Sequence, residues 1–182
     1  MLKHVPNILT IIRFLLIPVI IILALQENYI GTAFIFTISG LTDILDGFIA
    51  RKYNLISNFG KLMDPLADKL TQISILATLA LKNIIPIWIL IIVILKEIVM
   101  ICGASFLYGK NVVVSSKWFG KLATVLFYLA IISSLAISIF SITPSFDVYI
   151  YCLAIVSTIF ACIMYIKGIV NQGIVKREDI IQ

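Results

Sequence analysis

Charge is scarce in this sequence. Of 182 residues only 13% are charged while 62% are hydrophobic, far from the roughly 25% charged and 45–50% apolar usual in soluble domains. Histidine is nearly absent: His4 stands alone near the N-terminus, reads as interfacial and is assigned no chemistry. The three cysteines, Cys102, Cys152 and Cys162, are odd in number, lie inside apolar runs and show neither CxxC nor Cys/His spacing, which argues against a disulfide framework and a zinc site. The net charge of +5 comes from basic residues scattered between hydrophobic stretches, so nucleic acid is not an expected partner; an anionic membrane face and anionic substrates suit that pattern.

What fills the chain instead is a succession of apolar runs of bilayer-spanning length, about 20 residues each. They predict six helices, over 7–26, 31–50, 62–81, 85–107, 119–140 and 148–167, in an all-α integral membrane bundle. The first is read as a retained helix, since no small-residue cleavage site follows it. Arg51, Lys52 and Lys61 lie between spans two and three, Lys110 and Lys117 between four and five, and Lys167, Lys176 and Arg177 near the end, whereas Lys82 is the single basic residue in the other linkers. The positive-inside bias then puts both termini and the basic loops in the cytoplasm. The expected organisation is one membrane domain over 1–168 and a short cytoplasmic tail over 169–182.

Nine acidic residues occur in the chain, and four of them fall between positions 43 and 68. Asp43 and Asp46 are spaced i,i+3 at the end of the second span, and Asp64 and Asp68 i,i+4 at the start of the third, so each pair shares a helix face. A turn over Arg51–Lys61 is expected to fold these helices back as antiparallel neighbours and bring the four carboxylates together at one depth. Crowded carboxylates beside lipid need a counter-charge. All-oxygen donors suit magnesium or manganese, and such ions usually engage substrate phosphates as well. Gly47, Ala50 and Gly60 are interleaved with the aspartates and let a nucleotide or a neighbouring backbone approach closely; ordinary small-residue helix packing explains each of them singly.

The segment DILDGFIARKYNLISNFGKLMDPLAD, Asp43 to Asp68, resembles the signature of the CDP-alcohol phosphatidyltransferase family, D-x2-D-G-x2-A-R-x8-G-x3-D-x3-D, and meets every fixed position. The opening VPNILTIIRFLLIP is similar to the N-terminal segment of the family's phosphatidylglycerophosphate synthase branch. The resemblance implies that Asp43, Asp46 and Asp64 ligate two divalent cations, Mg2+ or Mn2+, and that Asp68 is the general base and contacts metal as well. It implies further that Gly47, Ala50 and Gly60 pack against a cytidine nucleotide and that Arg51 lies beside its phosphates. Asn7, Thr10 and Arg13 match the branch's opening motif on one helical side and are assigned to the nucleotide; Arg13 points to the acidic cluster, to the nucleotide, or to the headgroups by snorkelling.

The expected reaction is transfer of a phosphatidyl group from CDP-diacylglycerol to glycerol 3-phosphate, releasing CMP, at the cytoplasmic face of a bacterial inner membrane, by a homodimer. Lys117, Lys121 and Lys96 are the expected partners of the acceptor's phosphate. The segment SSKWFGKLAT is similar to the branch's GKIKT-type segment but has Ala123 in place of the second lysine, and Lys96-Glu97 stands where the branch has Arg-Glu. Cardiolipin synthesis, or inositol phosphate or serine as acceptor, is the alternative within the family. A cation transporter would need acidic groups continuing across the membrane, and the remaining spans offer Glu97 alone, next to Lys96.

Overall fold

The computed structural model describes residues 5–52, 58–108, 118–142 and 146–178, with side chains over 8–48, 52, 60, 63–99, 122–142 and 146–164. Among the described residues all regular structure is helical: α1 (Val5–Leu25), α2 (Tyr29–Lys52), α3 (Asn58–Leu81), α4 (Ile87–Tyr108), α5 (Trp118–Phe140) and α6 (Asp147–Glu178). All six expected helices are present. Among the described residues, four stretches are long and apolar enough to cross a bilayer, Ile8–Leu25, Tyr29–Phe48, Leu122–Phe140 and Asp147–Met164. In α3 the charges of Lys61, Asp64, Asp68 and Lys69 are concentrated in the first half of the helix. The last helix continues past Lys167 to Glu178, about three further turns into the stretch expected to be a tail.

The chain divides into two compact units, one of residues 1–90 and 134–143, the other of residues 91–133 and 144–182. In the first unit α1 packs along both α2 and α3, while α2 and α3 meet each other at few points. This differs from the direct α2–α3 pairing expected from the linker. The physical reason is on α1: its buried stripe, Thr10, Arg13, Ile20 and Ala24, carries the cation that two facing acidic helices would lack. On α2 the buried residues Thr32, Phe36, Ser39 and Asp46 recur at spacings of four, three and seven residues, all on one helical stripe. Small and hydroxyl-bearing residues on these faces let backbones approach closely where lipid offers no hydrophobic drive for helix association.

The outward faces are the reverse. Ile8, Ile11, Ile12, Leu15, Val19, Ile22 and Leu25 of α1 are exposed, as are Ile30, Phe34, Leu41, Ile44, Leu45 and Phe48 of α2. Apolar area on that scale is not tolerated in water, so hydrocarbon is its solvent. The unit buries its few charged and hydroxyl side chains among apolar ones such as Ile20, Phe36, Ile75 and Leu76 and turns an apolar surface outward.

Tight turns close the unit at the end away from the aspartates. Glu27 adopts a left-handed backbone (φ 62°), and the amides of Glu27 and Asn28 donate to the carbonyls of Ala24 and Leu23, ending α1 in a Schellman motif. Asn28 then caps α2, its Oδ1 accepting from the Gly31 amide at 3.0 Å. Asn83 (φ 56°) ends α3 in the same way, the amides of Asn83 and Ile84 donating to Ala80 and Leu79. Lys82 Nζ joins the two turns by an ion pair with Glu27 Oε1 at 2.8 Å. With Thr10 bonded to Asp64 at the other end, α1 and α3 run parallel and α2 antiparallel to both.

In the second unit Lys96 of α4 pairs with its neighbour Glu97 and places its ammonium 4.9 Å from the centroid of the Phe127 ring on α5. Glu97, Phe127 and Ala130 are buried there, as are Tyr151 and Ala154 of α6.

Candidate functional site

Where α1 passes between the acidic ends of α2 and α3, one guanidinium serves three carboxylates. Arg13 Nη1 donates to Asp43 Oδ1, and Nη2 donates to Asp46 Oδ2. The same Nη2 lies 3.5 Å from Asp64 Oδ1, which also accepts from the Thr10 hydroxyl. Helical spacing produces this arrangement. Asp43 and Asp46 are one turn apart on α2, and Thr10 and Arg13 one turn apart on α1, so each pair presents two groups on one face.

The site is graded in depth. Arg13 is 1% exposed and Asp46 2%, whereas Asp43 and Asp64 are 39% and 33% exposed. The cluster is therefore sealed at its inner end and open at its outer end. Asp68, one turn beyond Asp64, is half-buried. Three ionised carboxylates around one guanidinium leave the cluster with excess negative charge, to which Asp68 adds; Arg13 does not neutralise the site. Arg13 Nε is buried without a hydrogen-bond partner, so the guanidinium still has an unused donor.

Among the described residues, no three carboxylate, thiolate or imidazole groups form a preformed metal cage; the aspartates are spaced around Arg13. The donor set nevertheless fits a hard divalent ion. It is all oxygen, it carries excess negative charge, and two of its three carboxylates reach the open side.

The expected residues Thr10, Arg13, Asp43, Asp46 and Asp64 are thus brought together by direct bonds, with Asp68 beside them. Gly60, one turn before Asp64, is buried, and Gly47, next to Asp46, is half-buried. Lys96 belongs to the second unit, engaged with Glu97 and Phe127. Lys117 lies outside the described residues, as do the side chains of Asn7, Ala50, Arg51 and Lys121.

One residue was missed. Gln72 follows Asp64 and Asp68 at i+4 intervals, is 2% exposed, and its Nε2 has no hydrogen-bond partner. The signal was in the sequence: an amide at i, i+4, i+8 register with two aspartates.

The sequence profile of the CDP-alcohol phosphatidyltransferase family matches residues 3–167. The chain is 33% identical over 153 residues to a protein of Mycoplasma genitalium named CDP-diacylglycerol–glycerol-3-phosphate 3-phosphatidyltransferase, covering 72% of this chain and 64% of that one. It thus spans just under two thirds of that relative. Proteins of the same name from Bacillus subtilis and Aquifex aeolicus are 34% identical over 136 residues and 35% over 132, covering 66% and 71% of this chain and 70% and 74% of theirs. Enzymes of the family generally use divalent metals. Described residues that are helical and lipid-facing, three helices converging on clustered aspartates, and a profile match over nearly the whole length lead to one assignment: this chain belongs to the CDP-alcohol phosphatidyltransferase family.

Proposed function

We propose that the protein transfers the phosphatidyl group of CDP-diacylglycerol to glycerol 3-phosphate, giving phosphatidylglycerophosphate and CMP. The observation that carries this reading is the gathering of Asp43, Asp46 and Asp64 from two helices around one point at the open end of a lipid-facing unit. The three relatives' shared name supports this donor and acceptor. Asp43, Asp46, Asp64 and Asp68 would hold two divalent ions, Mg2+ or Mn2+, which would supply charge neutralisation for the diphosphate.

The remaining work falls to the chain. Asp68 accepts the proton of the acceptor's hydroxyl, being half-buried beside the cluster but outside the Arg13 ion pairs. The hydroxyl oxygen forms a new bond to the phosphorus that carries diacylglycerol. The bond from that phosphorus to the bridging oxygen breaks, and CMP leaves with the electron pair. Gly47, Ala50 and Gly60 admit the nucleotide, with Asn7, Thr10, Arg13 and Arg51 around its polar groups. Lys117, Lys121 and Lys96 receive the acceptor's phosphate. The acyl chains stay in lipid throughout, which requires an interfacial site; the basic loops place it at the cytoplasmic face of the cell membrane. Residues 1–168 form the catalytic domain, and the working unit is a homodimer.

The test is CMP release by the purified protein in detergent, with CDP-diacylglycerol and Mg2+ or Mn2+, offering glycerol 3-phosphate, inositol phosphate, serine and phosphatidylglycerol separately. Turnover with glycerol 3-phosphate alone, lost by at least about a hundredfold in Asp68→Asn, is the expected result. Turnover with a different acceptor overturns the substrate, and no metal-dependent release with any of them overturns the reaction.

A further inference from the structure

We propose that Arg13 is an internal counter-cation that competes with divalent metal for Asp43, Asp46 and Asp64, so that the guanidinium must leave the cluster before a metal can be fully ligated. This rests on the reading above that these three aspartates are the metal ligands.

Arg13 engages one oxygen of each carboxylate that a metal would need: Asp43 Oδ1, Asp46 Oδ2 and Asp64 Oδ1. A guanidinium stays charged at every accessible pH, so it cannot yield the site by losing a proton. Its side chain is 1% exposed, and a dication placed among the same carboxylates would face its full charge across a weakly screening interior. The two cations therefore compete for the same three carboxylates, through repulsion between their charges.

The carboxylates also need Arg13 when no metal is bound. Three ionised aspartates would repel one another, and Asp46 at 2% exposure has little water to solvate it. Arg13 holds the three helices together until metal replaces it. The pairing leaves Nε without a partner, so Arg13 is incompletely satisfied where it stands. Once released, its donor fork suits an anionic phosphate, in keeping with the assignment of Arg13 to the nucleotide.

The experiment is a Mn2+ titration of the full-length protein in detergent micelles, following free Mn2+ by electron paramagnetic resonance and stability by thermal unfolding. Wild type is compared with Arg13→Gln, Arg13→Lys and Asp64→Asn. Arg13→Gln is expected to bind Mn2+ at least about tenfold more tightly than wild type, and to unfold at lower temperature without metal by a margin that shrinks as Mn2+ is added. Arg13→Lys keeps the charge but loses the two-pronged geometry, and its affinity is expected to fall between the two; it carries the test alone if Arg13→Gln does not fold. Equal or weaker Mn2+ binding by the folded Arg13 variants, with Asp64→Asn deficient, overturns the competition while leaving the metal ligands assigned. No Mn2+ binding by any of the four proteins overturns both.

Discussion

Thr10→Val removes a hydroxyl of the site almost without changing shape. Thr10 is fully buried and its hydroxyl donates to Asp64 Oδ1. Valine fills the same volume, so no cavity term enters. What is lost is a neutral donor to a charged acceptor, a bond contributing roughly 1.5–3 kcal/mol. Asp64 is one-third exposed, and water takes over part of the bond, which lowers the expected loss to about 1–2 kcal/mol. For a chain of this length each kcal/mol shifts the thermal midpoint by roughly 2–4 °C, so the expected drop is about 2–8 °C. The assay is thermal unfolding in detergent at a fixed scan rate, with Thr10→Ser restoring most of the loss because it restores the hydroxyl. A valine variant as stable as wild type, or a serine variant no better than valine, would refute the claim that the hydroxyl holds Asp64 in place.

Gln72→Met keeps the length of the side chain and removes a buried Nε2 that lacks a partner. An unsatisfied buried donor costs about 1–3 kcal/mol, so the variant is expected to unfold at a higher temperature in the same assay; a lower midpoint would show that the amide stabilises the folded chain. The Glu27–Lys82 pair should behave as an exposed one: the hydrogen bond and charge of Lys82 hold the Glu27 carboxyl below its ordinary pKa. A depressed carboxyl stabilises the fold above its unfolded pKa and loses that effect as pH falls through the folded value. The small difference in midpoint between wild type and Lys82→Met should therefore be present at pH 7, shrink below about pH 4 and weaken with salt. A difference unchanged across that range would contradict it.

Sequence alone determined the fold class, because burial in lipid leaves the backbone few options: apolar runs of bilayer length must satisfy their own amides and so become helices. The number of helices and their approximate limits followed, and so did the sharing of a helix face by paired carboxylates, since i,i+3 and i,i+4 spacing commits them to one face before any tertiary contact forms. The continuation of α6 past Lys167 was not legible, because a mixed run of charge and isoleucine carries no spanning signal.

Tertiary structure decided what stands between the acidic helices. Linear spacing shows which carboxylates share a face but not which third helix comes between the two pairs. Three outcomes were open for Arg13, and packing of α1 against both α2 and α3 selected the cluster. Likewise it is burial that leaves the Gln72 amide without a partner. Both are properties of groups more than a helix turn apart in space or sequence, and local periodicity holds no record of them; which cation a carboxylate meets is settled only when separate helices pack.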